Sequence, residues 1–415
     1  MDALTRRRFL LASGVAGAAA LAAGGGALAL SELLGAADRA GDPLGDTVVL
    51  VTLYGGNDGL NTVIPYADPA YHATRPELAY PAERVLPLNE ALGLNPVLTG
   101  LKRLWDDQRL AVILGVGYPR PDRSHFRSMD IWQTGSPDAP ATTGWVGRWL
   151  DDTGAPVGTA VSFEPVLPPL LVGRRRIGSC VSYHGLDLPP WIDERLVAAL
   201  GRIEPGEPEM QARAASAYAD LLEMGRVIHG DHQVTPSPGA AAEPDVPATG
   251  TGGENALAAQ LALVARCVEV GAPTRVYSVS LGGFDTHADE LATQELLLRQ
   301  LDEALSSFAA RMARSAAGRR ITVVVYSEFG RRLRANASDG TDHGTAGPVL
   351  VLGGRVVGGL YSEQPSLTDL DQGDLRATAD FRDVFGSVLG SVLGADPGRY
   401  FEGYEPRPLS FLRTG

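Results

Sequence analysis

The chain has 415 residues, a formal charge of -13, 44% hydrophobic residues and 20% charged residues. These are ordinary globular values, and the acidic balance excludes the basic face that a nucleic-acid partner needs. Lys102 is the only lysine and stands in neither a phosphate-loop nor a Schiff-base context, which removes Walker-type nucleotide enzymes and pyridoxal enzymes.

Thr5-Arg6-Arg7-Arg8-Phe9-Leu10 opens the chain, followed by an Ala, Gly and Leu stretch too dilute for a stop-transfer helix. We read residues 1–37 as a twin-arginine signal, with small-residue cleavage contexts before Ser31 and Asp38. The twin-arginine translocase is then a partner, the mature protein is periplasmic, envelope-bound or extracellular, and no stable transmembrane segment remains after cleavage. That route carries folded proteins, so a metal loaded before export is compatible with it.

Residues 38–415, roughly 375 in all, suffice for one large α/β domain. Apolar runs predict strands at Thr47–Leu53, Leu110–Leu114, Arg275–Leu281, Ile321–Tyr326 and Pro348–Leu352. Apolar residues spaced three and four apart predict helices at Leu98–Asp107, Asn255–Val270, Glu290–Ala317 and Phe381–Leu393. Near-continuous apolar strands alternating with amphipathic helices predict a doubly wound, mostly parallel sheet with helices on both faces. Residues 140–232 read as a cap-like insertion, and the Pro, Gly, Ala and Thr run over 233–255 as a flexible loop. Cys180 and Cys267 are equally compatible with a disulfide and with two free buried thiols.

Polar clusters flank the predicted strands. Gly55-Gly56-Asn57-Asp58-Gly59 follows the first, Gly282-Gly283-Phe284-Asp285-Thr286-His287 the third, and Ser327-Glu328-Phe329-Gly330-Arg331 the fourth, while Thr341-Asp342-His343-Gly344 precedes the strand at Pro348. Ligands of open α/β sheets bind outside the carboxyl ends of the strands, where the first three clusters fall. Asp58, Asp285, His287, Glu328, Asp342 and His343 are candidate ligands for one or two divalent ions, with zinc, manganese or magnesium suited to such donors. A single carboxylate in such a turn is ordinarily a cap; joint placement with two of the seven histidines argues for a site.

A fifth segment, Arg123 to Asp130, opens a helix after the strand at Leu110. Ser124 stands at the cap position, where it either caps the helix or serves as a nucleophile, with Arg123 and Arg127 supplying positive charge to an anionic substrate. A metal beside it would favour transfer of phosphoryl or a related group.

The series GGNDGLNTVIP, RSHFRSMDIWQTG, GGFDTHADE, YSEFGRR and GTDHGTAGPVLVLGG, behind the twin-arginine signal, resembles the bacterial family called domain of unknown function 1501 from about Asp46 to about Phe385. That family is grouped with the alkaline phosphatase and sulfatase superfamily. The resemblance implies an alkaline phosphatase-like fold, a metal-dependent hydrolase of phosphate or related esters, and small-molecule or polymer ester substrates. In that comparison Asp58 and Ser124 resemble the first-strand metal aspartate and the nucleophile. Asp285 with His287, Glu328 and His343 resemble further metal ligands. Phe329 departs from the pattern, because the superfamily commonly has histidine after that carboxylate, so one ion loses a ligand unless Asp342 or Asn57 replaces it. A single-metal hydrolase and an inactive envelope binding protein that keeps the fold both follow as alternatives. Neither cysteine has the Cys-x-Pro-x-Arg context of a formylglycine sulfatase, and the serine-esterase elbow GxSxG is absent.

Overall fold

The computed structural model describes residues 45–164, 166–181 and 256–413. The expected twin-arginine signal, the expected loop at 233–255 and residues 182–232 of the expected insertion lie outside the described residues.

Among the described residues, nine strands form the main sheet. They are β1 (Thr47–Leu53), β2 (Leu110–Gly117), β3 (Ala160–Ser162), β4 (Ser179–Cys180), β5 (Val276–Leu281), β6 (Ile321–Ser327), β7 (Gly347–Gly353), β8 (Gly359–Tyr361) and β9 (Ala379–Asp380). The order is β8-β2-β7-β6-β1-β5-β3-β4, with β9 beside β8 on the free edge of β2. All neighbours are parallel except β7, which runs antiparallel to both β2 and β6. The sheet is therefore mostly parallel, as its near-continuous apolar strands predict.

Six helices cover it: α1 (Thr99–Asp106), α2 (His125–Thr134), α3 (Trp145–Thr153), α4 (Ala256–Glu269), α5 (Glu290–Met312) and α6 (Phe381–Ser391). The two-residue period of β1 sends Val49 and Val51 to one face and Val48 and Leu50 to the other. On the first face they meet Leu101 of α1, Leu261 of α4 and Leu301 of α5. Across the sheet lie Trp132 of α2, Trp145 of α3 and Phe385 of α6. Burying both faces requires this double winding.

Two expectations are corrected. Residues 145–181 are not a cap: α3 packs in the second core, and β3 and β4 extend the main sheet beyond β5. Helix α5 stops at Met312, not Ala317, and the chain turns so tightly that a Cβ on Gly318 would stand 2.1 Å from the Met312 carbonyl oxygen. Cys180 and Cys267 are both buried and free, which resolves the open pairing in favour of thiols.

Candidate metal centre

The reversed direction of β7 builds the site. A parallel strand would place the segment before it at the amino edge; because β7 is antiparallel, Thr341–Gly344 arrives at the carboxyl edge with the ends of β1, β2, β5 and β6. A short ladder fixes it there. Gly330 N–H donates to Thr345 O at 2.9 Å, Gly344 N–H to Gly330 O at 2.9 Å, and Arg332 N–H to Asp342 O at 3.0 Å.

Asp285 sits in the loop after β5, and the loop after β1 packs directly on it. Gly55 has φ +116°, and a Cβ there would lie 2.4 Å from the Asp285 nitrogen, so only glycine allows this approach.

Three imidazoles surround one oxygen of Asp285. Oδ1 lies 3.0 Å from His343 Nε2, 3.0 Å from His287 Nε2 and 3.3 Å from His125 Nε2. His287 and His343 Nε2 are 2.9 Å apart. Two of the three outer nitrogens are held: His125 Nδ1 by Glu328 Oε1 at 2.8 Å, and His343 Nδ1 by Arg123 O at 2.8 Å. His287 Nδ1 faces Asp342 Oδ1 at 3.6 Å. Holding the far nitrogen fixes tautomer and ring plane, the usual arrangement around metal-binding histidines.

The sequence reading missed His125. It is the first residue of α2, directly after the serine that drew attention, and its company with a buried glutamate 203 positions away in the chain exists only in the fold. Phe329, the departure from the superfamily pattern, forms a wall instead, its ring 4.9 Å from that of His125 and 5.0 Å from that of His343.

The electrostatics are set mainly by Arg331, whose side chain is fully buried. Its Nη2 donates to Asp285 Oδ1 at 2.6 Å and to Phe284 O, and Nε and Nη1 donate to Gly56 O and Thr341 O. One guanidinium thus ties together the loops after β1 and β5 and the loop before β7. Burial alone would raise the Asp285 pKa, but the hydrogen bond and charge of Arg331, with His343 and His125, bring it down to about 2. The hydrogen bond that His125 donates to Glu328 raises its pKa against the opposing effect of burial.

The donors suit a divalent ion. His125, Asp285 and His343 each offer an atom, all within 4.8 Å of one another. Ligand atoms about 2.0–2.1 Å from a tetrahedral ion stand roughly 3.3 Å apart, close to the separations here. His125 Nε2 is buried with no hydrogen-bond partner while aimed at a carboxylate, an unmet need that a cation would satisfy. Imidazole and carboxylate together favour zinc or manganese over an all-oxygen magnesium site.

Other expected site residues stand elsewhere. Asp58 is buried and bound through both oxygens by Arg75, and its Oδ1 also accepts from Leu60 N–H, so it closes an ion pair and caps a turn instead of facing the cluster. Glu328 stands behind His125 as an orienting carboxylate, while Asp342 lies 3.6 Å from His287 Nδ1, beyond hydrogen-bond distance. Arg123 directs Nε and Nη2 to buried Asp374, and Arg127 pairs with Asp130, so neither guanidinium is a free charge for substrate. Ser124 makes no side-chain cap bond; its hydroxyl is exposed between Arg123, whose carbonyl holds His343, and His125.

A cavity of about 690 Å³ lies away from the cluster itself. It opens beside it, sharing Arg123 and Thr345 on either side of His343. The converging donor atoms, not the volume, mark the chemistry. Among the described residues no helix is long and apolar enough to cross a membrane.

A family model described as protein of unknown function (DUF1501) matches residues 195–411. The chain belongs to that family. No curated protein matches this DUF1501 chain. Among solved structures it is similar to a protein in the alkaline phosphatase superfamily from Vibrio parahaemolyticus, at 12% identity and a TM-score of 0.42 over 92% of this chain and 78% of that one. It is also similar to the lipoteichoic acid synthase LtaP from Listeria monocytogenes, at 10% identity and a TM-score of 0.34 over 90% and 80%. Alkaline phosphatase from the Antarctic bacterium TAB5 matches at 11% identity and a TM-score of 0.32 over 77% and 95%. These likenesses concern the α/β fold alone.

Proposed function

We propose that this DUF1501 protein is a metal-dependent hydrolase of phosphate or related esters, working with one divalent ion held by His125, Asp285 and His343 with His287 beside them. The observation that carries the reading is the convergence of three imidazole Nε2 atoms on Asp285 Oδ1, at 3.0, 3.0 and 3.3 Å, with the outer nitrogens of His125 and His343 oriented by oxygens.

A divalent cation bound there would supply Lewis acidity toward an ester oxygen and lower the pKa of a neighbouring hydroxyl. The protein's own parts divide the remaining work. Glu328 and the Arg123 carbonyl hold two imidazoles in one tautomer each. Arg331 keeps Asp285 ionised. Ser124, an exposed hydroxyl with no capping duty, is the proposed nucleophile, and the first turn of α2 offers backbone N–H groups to the developing oxyanion.

A second reading, a non-catalytic binding protein, is favoured by the Asp58–Arg75 pair, because a buried guanidinium takes the carboxylate on which the superfamily resemblance places a metal. Export through the twin-arginine route belongs to either reading and rests on Arg6, Arg7, Phe9 and Leu10.

Metal content decides between them. The purified mature protein should carry about one equivalent of zinc or manganese, lost in an Asp285→Ala, His343→Ala double variant, and should hydrolyse phosphate or sulfate monoesters only when loaded. Equal, negligible metal content in both proteins would leave the binding-protein reading.

A further inference from the structure

Helix α2 runs from the metal centre to the opposite, amino edge of the sheet, its ten residues spanning about 15 Å. At its far end the Thr134 carbonyl accepts from Arg148 Nη2. A pocket of about 400 Å³ opens there, lined by Arg148, Asp151, Asp152, Arg174, Arg175, Arg399 and Tyr400. Its place at the amino edge follows from connectivity. The end of α3 turns straight into the start of β3, and the end of α6 reaches the start of β5, where Arg275 donates to Val392 O.

Four arginines face two aspartates in this wall, in a chain whose net charge is -13. Both aspartates are already satisfied. Asp151 accepts from three successive backbone N–H groups, those of Arg174, Arg175 and Arg176, at 2.6, 2.9 and 2.7 Å. Asp152 accepts from Arg399 at 2.5 Å and the Tyr400 hydroxyl at 2.8 Å. That leaves Arg174 and Arg175 exposed, with no carboxylate partner among the described residues.

Arg148 is the stronger sign. Its guanidinium is clamped by the carbonyls of Thr143, Thr134 and Tyr400 at 2.6, 2.6 and 2.5 Å, with no salt bridge among the described residues. Carbonyls satisfy its N–H groups but do not cancel its charge. Burial, and then Arg174, lower its pKa, against the charge of Glu402. A part-buried, immobile cation beside two exposed guanidiniums with N–H groups to give forms a field that suits an oxyanion.

We infer that this pocket binds a phosphate-type oxyanion, on an edge of the sheet separate from the metal centre. Arg174 and Arg175 supply the direct, two-pronged hydrogen bonds, and Arg148 supplies fixed charge from behind. The site is independent of the hydrolase reading, since none of its residues touches the cluster.

The test is calorimetric titration of the whole protein at low ionic strength with inorganic phosphate and with polyphosphate. Three forms are compared: the wild type, an Arg174→Ser, Arg175→Ser double variant and a His343→Ala variant. The backbone N–H groups that hold Asp151 survive in the double variant, so its fold and ester hydrolysis stay unchanged. Wild type and His343→Ala bind equally, and the double variant binds about tenfold more weakly or not at all. Competition by inorganic phosphate against polyphosphate assigns the pocket to a single ion, and polyphosphate binding without competition to a polymer's phosphates. Equal binding by the double variant, loss of binding in His343→Ala, or no binding by the wild type overturns the inference.

Discussion

Arg75 grips Asp58 by both carboxylate oxygens, Nη1 on Oδ1 at 3.2 Å and Nη2 on Oδ2, with both side chains fully buried. Glu290 joins them, its Oε1 3.8 Å from Arg75 Nη2. Two carboxyl groups and one guanidinium thus share a fully buried interior.

Breaking such a group leaves charge uncompensated in a medium that cannot hydrate it. Arg75→Met is expected to cost about 3–5 kcal/mol in urea unfolding. Asp58→Asn, by contrast, should leave bound metal unchanged, because Asp58 faces arginine and not the ion. A loss of metal in Asp58→Asn that is not matched by unfolding would return Asp58 to the ligand set.

Glu290 gives the chain a pH dependence. Burial, then the charge of Asp58 and a hydrogen bond with it, raise its pKa from the ordinary 4.5 to about 9, against Arg75 and Thr341. The folded state therefore holds a proton that the unfolded chain releases between those values. This contribution to stability is full below about pH 4.5 and is lost as pH rises toward about 9, by at most about 1.4 kcal/mol per pH unit. Denaturation midpoints followed across that range should decline with pH, and Glu290→Gln should flatten the decline. An unchanged slope in the variant assigns the proton to another group.

Glu328 orients His125 without touching an ion, so Glu328→Gln is expected to keep the fold and weaken metal affinity about 10–100-fold. His125→Ala should abolish stoichiometric binding. Metal titration monitored by competition with a chromogenic chelator separates the two. Full affinity in His125→Ala would remove that residue from the centre.

Ser124→Ala should change stability by no more than about 0.5 kcal/mol, since the hydroxyl caps nothing, and leave metal content intact. Turnover of a phosphate monoester is expected to fall by about three orders of magnitude or more. Turnover within a few-fold of wild type would show that water, not the serine, attacks.

Gly55→Ala tests the close packing of the loops. Its added Cβ would meet the Asp285 nitrogen at 2.4 Å from a backbone of φ +116°, and both effects push the β1 and β5 loops apart. Metal affinity and stability should fall together, in equilibrium unfolding and metal titration of the same sample. Retention of both would mean the loops separate freely.

The sequence by itself determined the elements and therefore the fold class. Val48 to Leu53 can be buried on both faces only in a covered sheet, and the apolar spacing of α1, α4, α5 and α6 says what covers it. It also marked Asp285, His287 and His343 as candidates, because a carboxylate and two imidazoles placed together beside glycine turns argue for a shared site where any one alone would read as a cap. What it could not hold was direction and company. Whether β7 runs with or against its neighbours decides which edge of the sheet receives His343, and no residue in Pro348–Leu352 encodes that direction. Asp58 reads as a ligand until Arg75, seventeen residues on, is folded against it. His125 reads as the first residue of a capped helix until Glu328 and Asp285 close around it. Strand pattern and turn chemistry are local properties, set by neighbours in the chain. A charge's partner and a donor's aim are set by packing, and only the tertiary structure decides them.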